Sequence, residues 1–198
     1  MNIILEQNEE MNDELEVNNK KYMDYLEKHI TGVVEAFKKY FLPLVNSYKE
    51  GLSLYTNHEF ILAIKTAAIS IDKHDLSKYN DIEWYPYRRH YYPTVAEQNC
   101  SEEEARVEEE SFEKAWKHHY ENNMHHIEYW YDFSTKTAKN MPLTSIVEMM
   151  CDWFSMDQIY PKPEMDYWWN NEAEEERSMM TEDTISTVNE IYKIFKKQ

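Results

Sequence analysis

Two glycines, Gly32 and Gly51, are all that the 198 residues contain. Glycine supplies the positive-φ positions of tight hairpins and lets backbone approach a phosphate, so its scarcity removes whole classes of fold at once. A sheet-rich architecture wants many such turns. A Walker loop or a dinucleotide-binding turn needs glycines in a cluster, and there is no cluster here. What remains plentiful is Glu, Lys, Met and Leu, all good helix formers. The chain is therefore expected to be all-α. Its 42% of hydrophobic residues are enough for one domain with a real core.

The formal net charge of −17 bears on partners. An acidic surface repels polyanions, so neither non-specific nucleic-acid binding nor an anionic membrane is expected. A small phosphorylated molecule fits such a chain if bound cations reverse the sign locally. Cys100 and Cys151 make no disulfide framework and sit in no metal-type pair. No apolar run approaches the ~18 residues of a membrane span, and the first residues do not read as a signal peptide. The expected location is the cytoplasm.

Along the chain, residues 1–19 are acidic and Asn-rich and are expected to form a flexible tail. Residues 20–160 are expected to form the helical domain, and residues 161–198 a C-terminal extension. A first helix over about 20–48 is marked by Tyr22, Leu26, Ile30, Val33, Phe37, Tyr40 and Phe41 at spacings of three and four. Pro43 should kink or end it. A second, over about 58–73, runs through Phe60, Ile64, Ala67 and Ile71. The segment Asp81–Asn99, with WYPYRRHYYP and its two prolines, reads as a helix-poor connection. Ser101 and Glu104 form a capping-box pattern that starts a third helix, expected to reach about 138 with a break near Asn122–Asn123. A fourth begins at Pro142 and runs to about 157, residues 163–180 read as irregular, and an amphipathic helix over about 182–196 closes the chain. That last helix either packs back or makes a homodimer.

The histidines and aspartates carry the chemistry. His29 lies on the apolar stripe of the first helix, between Leu26 and Val33. His74 and Asp75 are adjacent in HDLSK at the end of the second. On the third, the seam Phe112, Trp116, His119, Asn123, His126, Trp130 steps by four and three, which sets His119 and His126 two turns apart on the inward face. His125 and His118 fall on a neighbouring stripe, and Asp152 in EMMCDW lies on a helix apolar on most sides. Imidazole nitrogens and carboxylates in one set suit iron, manganese, nickel or zinc. A carboxylate on an apolar face needs a cation or several hydrogen bonds. Lys78, one turn past His74, is placed to reach a phosphate or a leaving oxygen.

The order His29, His74–Asp75, His119, His125–His126, Asp152 resembles the H…HD…H…HH…D order of the HD superfamily, in particular its bimetallic HD-GYP-like branch, where HD is also followed by a lysine. More closely, HDLSKYNDIEWYPYRRHYYP, AWKHHYENNMHHIEYW and EMMCDW resemble a phage and bacterial family, domain of unknown function 5662, over roughly residues 20–160. The resemblance implies an HD-domain-like helical bundle with one or two divalent transition metals per chain. It implies that His29, His74, Asp75 and Asp152 hold one metal, and that His119, His125 and His126 help hold a second, with Asp75 as bridge. Leu76–Ser77 stand where the signalling phosphodiesterases have Ile–Gly, and HHIEYW lacks their Gly-Tyr-Pro, which weighs against cyclic dinucleotide hydrolysis.

Several alternatives stay open on the sequence. His118 competes with His119 as ligand, the seam favours His119 and His126, and His125 reads either as a residue supporting the ligands or as one facing substrate. Arg88 and Arg89 either clamp a substrate phosphate bidentately or pair with glutamates. The function expected is metal-dependent hydrolysis of a nucleotide or other small phosphoester, with Asp75 and Lys78 as catalytic groups, in a bacterial or phage-infected cell. Two alternatives are a di-iron oxygenase on the same ligands and a non-enzymatic phage protein that binds a host factor and keeps the metal as structure.

Overall fold

The computed structural model describes residues 2–156 and 165–197 of the chain. Its helices are α1 (Asn2–Ala36), α2 (Leu44–Ser47), α3 (Asn57–Ile71), α4 (Asp81–Tyr91), α5 (Val95–Gln98), α6 (Glu102–Asn122), α7 (Leu143–Met156), α8 (Met165–Asn171), α9 (Glu174–Ser178) and α10 (Glu182–Phe195). The only named strands among the described residues are the two-residue pair β1 (Tyr131–Asp132) and β2 (Thr137–Ala138), joined antiparallel. The fold is all-α, as the glycine count requires. The chain divides into two compact units, one of Met1–Lys28 with Asp75–Asn122 and one of His29–His74 with Asn123–Gln198. The boundary between the expected domain and C-terminal extension falls in 157–164, outside the described residues.

In the first unit Tyr22 and Leu26 of α1 meet Tyr87 of α4 and Ala115 of α6, with Tyr25, Trp84, Phe112 and Trp116 around them. Two expectations are corrected here. The segment expected to be a tail is helical from Asn2. Glu14 accepts a hydrogen bond from the Val95 backbone (3.0 Å), and the buried Asn18 donates to the Pro93 carbonyl (3.1 Å). An acidic, polar stretch is thus tied down through its polar groups, which hydrophobic periodicity does not register. The segment 81–99 is likewise helical rather than helix-poor. Asn80 caps α4 by accepting from the Ile82 backbone (3.1 Å), acidic Asp81 and Glu83 sit in its first turn, and Arg88, Arg89 and His90 sit in its last. Pro86 removes one backbone donor inside the helix, but burial of Glu83, Tyr87 and Arg88 holds the segment in place.

In the second unit α3 packs against α7. A capping box starts α3: Glu59 N donates to Thr56 Oγ1, and Glu59 Oε2 accepts from Thr56 N. Phe60, Ala63, Ile64, Ala67 and Ile71 then recur at helical spacing on its buried face. In α7, Ile146, Val147, Met149, Met150 and Cys151 are each at most 1% exposed, so this helix is covered on most sides, as its sequence implies. The first helix ends as Pro43 demands. After Ala36 it widens into a π-turn, Phe37–Phe41, closed by Leu42 N donating to Phe37 O (3.0 Å), and α2 begins just after the proline.

Two further corrections lie in this unit. The third helix stops at Asn122, at the expected break, but does not resume toward 138: the chain then forms a 3₁₀ turn (Ile127–Trp130) and the β1–β2 hairpin. Asp132 Oδ1 accepts from the backbones of Ser134 and Thr135, and Lys136 takes a positive φ of 53° to close the turn. Local side-chain capture of backbone donors competes with helix here and wins. The stretch 163–180, expected to be irregular, contains α8 and α9, anchored by Trp169, which is 2% exposed and donates Nε1–H to Asn189 of α10 (2.8 Å).

Candidate metal centre

The second unit gathers three histidines and two carboxylates. His29 comes from the end of α1, His74 lies just beyond α3, and His125 sits in the loop after α6; they are 3%, 1% and 2% exposed. Glu148 and Asp152 project from one side of α7, four residues apart. Glu148 Oε1 lies 3.1 Å from His74 Nδ1 and 3.3 Å from His125 Nδ1. Ser155 Oγ donates to the Asp152 carbonyl (2.6 Å) and lies 3.1 Å from His29 Nδ1. A carboxylate can only accept, and the proton of the Ser155 hydroxyl is already engaged. An Nδ1–H tautomer at all three imidazoles satisfies these contacts and turns the Nε2 lone pairs toward Asp152.

Those Nε2 atoms converge. His29 Nε2 is 3.3 Å from His74 Nε2 and 3.3 Å from Asp152 Oδ1. His74 Nε2 is 3.8 Å and His125 Nε2 3.9 Å from the same carboxylate. His74, His125 and Asp152 each offer a ligand atom within 4.8 Å of the others. Two lone-pair nitrogens facing each other at this distance repel unless a cation lies between them. Ligands at about 2.1 Å from a tetrahedral zinc are themselves roughly 3.4 Å apart, close to the 3.3 Å that separates His29 Nε2 from His74 Nε2 and from Asp152 Oδ1. The donor set of three imidazoles and a carboxylate fits a borderline divalent ion.

Burial alone would push the Glu148 carboxyl up, but its hydrogen bonds from His125 and His74 outweigh that and hold it down to about 2. Asp152 behaves the same way: burial raises it, the surrounding His74, His29 and His125 lower it more, and the net direction is down. Both stay ionised under ordinary conditions.

The first unit holds a second group. Asp75 stands in the left-handed region (φ 56°), a conformation that costs a non-glycine residue about 1–2 kcal/mol and that Asp tolerates better than most. Its Oδ2 accepts from Lys78 Nζ (2.7 Å) and its Oδ1 lies 3.3 Å from His119 Nε2. Glu83, fully buried, places Oε2 2.8 Å from His119 Nδ1 and Oε1 2.6 Å from His118 Nδ1, and accepts from Ser77 Oγ (3.0 Å). Burial pushes the Glu83 carboxyl up; bonds from His119, His118 and Ser77 bring it net down. For His119, burial lowers the pKa and the bonds to Asp75 and Glu83 more than reverse this. The hydroxyls of Tyr22 and Tyr87 are buried here without a hydrogen-bond partner among the described residues. Burial, with Asp75 and Glu83 adding to it, keeps both phenols protonated.

Measured against the sequence, His29, His74, His125 and Asp152 are brought together in one unit, and Asp75, Lys78 and His119 in the other. His119 is fully buried and His118 is partly exposed, which agrees with the seam. His126 is not on a helix at all. It precedes the 3₁₀ turn, half-buried, with its ring 4.2 Å from that of His125, so the two-turn spacing from His119 does not apply. Arg88 is forked onto Glu97, with both nitrogens at 2.6 Å, and Arg89 pairs with Glu108. They line a cavity of about 540 Å³ with Tyr85, Pro93, Glu97 and Glu108, but carboxylates occupy the guanidinium groups, which is the ion-pair alternative. His58 is exposed at the start of α3, and His90 is exposed and stacked on Phe112 (3.7 Å).

Glu83, Glu148 and Ser155 were not singled out by the sequence. The available signal for Glu148 was a lone charge in the apolar run IVEMMCDW, one turn before Asp152. Glu83 lay hidden in the segment read as a connection.

Residues 18–194 match a family of unknown function, DUF5662. The chain belongs to that family. No curated protein and no solved structure matches it. No helix among the described residues is long and apolar enough to cross a membrane.

Proposed function

We propose that the protein is a metal-dependent phosphohydrolase of HD type, acting on a nucleotide or another small phosphoester. The observation that carries this reading is the convergence of three Nδ1-anchored imidazoles on Asp152 (His29 Nε2 to Asp152 Oδ1, 3.3 Å). His29, His74, His125 and Asp152 would hold the ion. A divalent cation in such a site supplies Lewis-acid charge to a phosphoryl group and activates water. The HD order assigns the rest. Lys78, held by Asp75, contributes positive charge for phosphate oxygens. His119 is poised by Glu83 at Nδ1 and can exchange a proton at Nε2 with Asp75 Oδ1 across 3.3 Å. A small anionic substrate in a chain of charge −17 depends on those local cations.

The test is elemental analysis of protein purified without a metal-affinity column, beside His74→Ala, followed by phosphate release from p-nitrophenyl phosphate, bis(p-nitrophenyl) phosphate and a nucleotide panel. Metal lost in the variant, with hydrolysis that depends on it, supports the reading. An unchanged metal content in His74→Ala would sink it. Iron alone, with oxygen uptake and no phosphate release, would replace it with the oxygenase alternative.

A further inference from the structure

We infer that Glu148 is a positioning residue that selects the metal-binding tautomer of two histidines at once; this rests on the metal-centre reading above. Neutral histidine in water favours the proton on Nε2, the atom that a ligand must present bare. A site built on Nε2 therefore has to hold the proton on Nδ1, and each histidine needs an acceptor placed there. Glu148 Oε1 provides it for His74 (3.1 Å) and His125 (3.3 Å) together. The two rings lie 4.3 Å apart, so one carboxylate oxygen spans both. Ser155 performs the same service for His29 (3.1 Å). With Asp152 between them, α7 carries at 148, 152 and 155 the anchors and the carboxylate ligand for three histidines that reach it from other segments of the unit. One rigid helix thus sets all of them before any ion arrives. The first unit repeats the device: Glu83 spans the Nδ1 atoms of His118 (2.6 Å) and His119 (2.8 Å).

A role limited to neutralising or filling buried space makes a different prediction from tautomer selection. Glu148→Gln loses the charge but keeps a carbonyl oxygen that can accept from both Nδ1–H groups. Glu148→Met keeps the volume and loses the acceptor. The experiment uses full-length ¹⁵N-labelled protein stripped with a chelator, and reads each histidine's tautomer by long-range ¹H–¹⁵N correlation. Zinc affinity is measured on the same samples by competition with a chromophoric chelator. Wild type and Glu148→Gln should show Nδ1–H at His74 and His125. Glu148→Met should revert both toward Nε2–H and bind zinc about 10–100-fold more weakly. Nε2–H tautomers in the metal-free wild type would overturn the inference, even if Glu148→Met fails to fold. So would wild-type tautomers and affinity in Glu148→Met. Failure of the wild type to take up zinc would instead defeat the metal reading, while the tautomers still judge Glu148.

Discussion

Replacing His125 by Ala removes one of four converging donors, whereas His126→Ala removes its half-buried neighbour. The sequence seam favours His126 and the tertiary arrangement favours His125, so this pair separates the two lines of reasoning. The size of the effect comes from the ligand set. A four-ligand zinc site binds with about 10–16 kcal/mol, so one donor in four is worth roughly 3 kcal/mol, or more than 100-fold in Kd. His125→Ala also withdraws one of the two donors from Glu148 Oε1 (3.3 Å). A hydrogen bond to a buried carboxylate contributes about 1.5–3 kcal/mol, so the metal-free variant should also be less stable. Zinc at 100 times Kd stabilises the folded state by about 2.7 kcal/mol, roughly 5–10 °C in Tm for a chain of this length. The assay is thermal unfolding with zinc and with chelator, beside direct metal counting. Wild type and His126→Ala should show the zinc-dependent rise, and His125→Ala should show none at the same zinc concentration. Wild-type zinc affinity in His125→Ala would refute the assignment, and selective loss in His126→Ala would restore the seam.

Arg88→Met removes the forked partner of Glu97, which keeps the Thr94 N–H and Arg89, and should cost about 1.5–3 kcal/mol by urea denaturation, with metal content unchanged; a stable variant that has lost substrate affinity would return Arg88 to the phosphate-clamp role. In metal-free protein the Glu148 carboxyl lies at about 2 against an ordinary 4.5. Its folded pKa is depressed, so its contribution is complete above pH ~4.5 and disappears as pH falls toward ~2, on the order of 3 kcal/mol in all. Urea midpoints between pH 7 and 3 should therefore fall less steeply for Glu148→Gln than for wild type, and parallel curves would contradict the assignment. Thr56→Ala breaks the α3 capping box and should lower stability by about 1 kcal/mol without touching metal binding, as read by chemical denaturation. Lys136→Gly relieves a positive φ of 53° in an exposed hairpin and should raise Tm slightly; a drop would mean the lysine side chain does more than tolerate the turn.

The parts of the fold legible in the sequence are those with strong apolar periodicity. Helices α3, α7 and α10 begin and end within about two residues of their expected limits, because each has one dominant buried face or a clear cap. The misreadings share a cause. Residues 12–19 and 81–98 are held by Glu14, Asn18, Asn80 and the Arg88–Glu97 fork, polar contacts that a hydrophobic pattern cannot express. At 123–138 the error ran the other way: apolar periodicity continues past Asn122, where the helix ends, into a 3₁₀ turn and a hairpin whose turn Asp132 closes.

The same division holds at the candidate site. Residue type and order alone singled out His29, His74, Asp75, His119, His125, His126 and Asp152, because metal-binding chemistry limits ligands to few residue types. Two glycines among 198 residues likewise set the all-α class without any coordinates. What only the tertiary structure decided was which ring nitrogen of each histidine faces which neighbour, that His125 Nε2 lies 3.9 Å from Asp152, and that Glu148, Glu83 and Ser155 sit against the histidine Nδ1 atoms. Those are distances between residues as far as 126 positions apart. They are set by the packing of separate segments, and no local pattern encodes them.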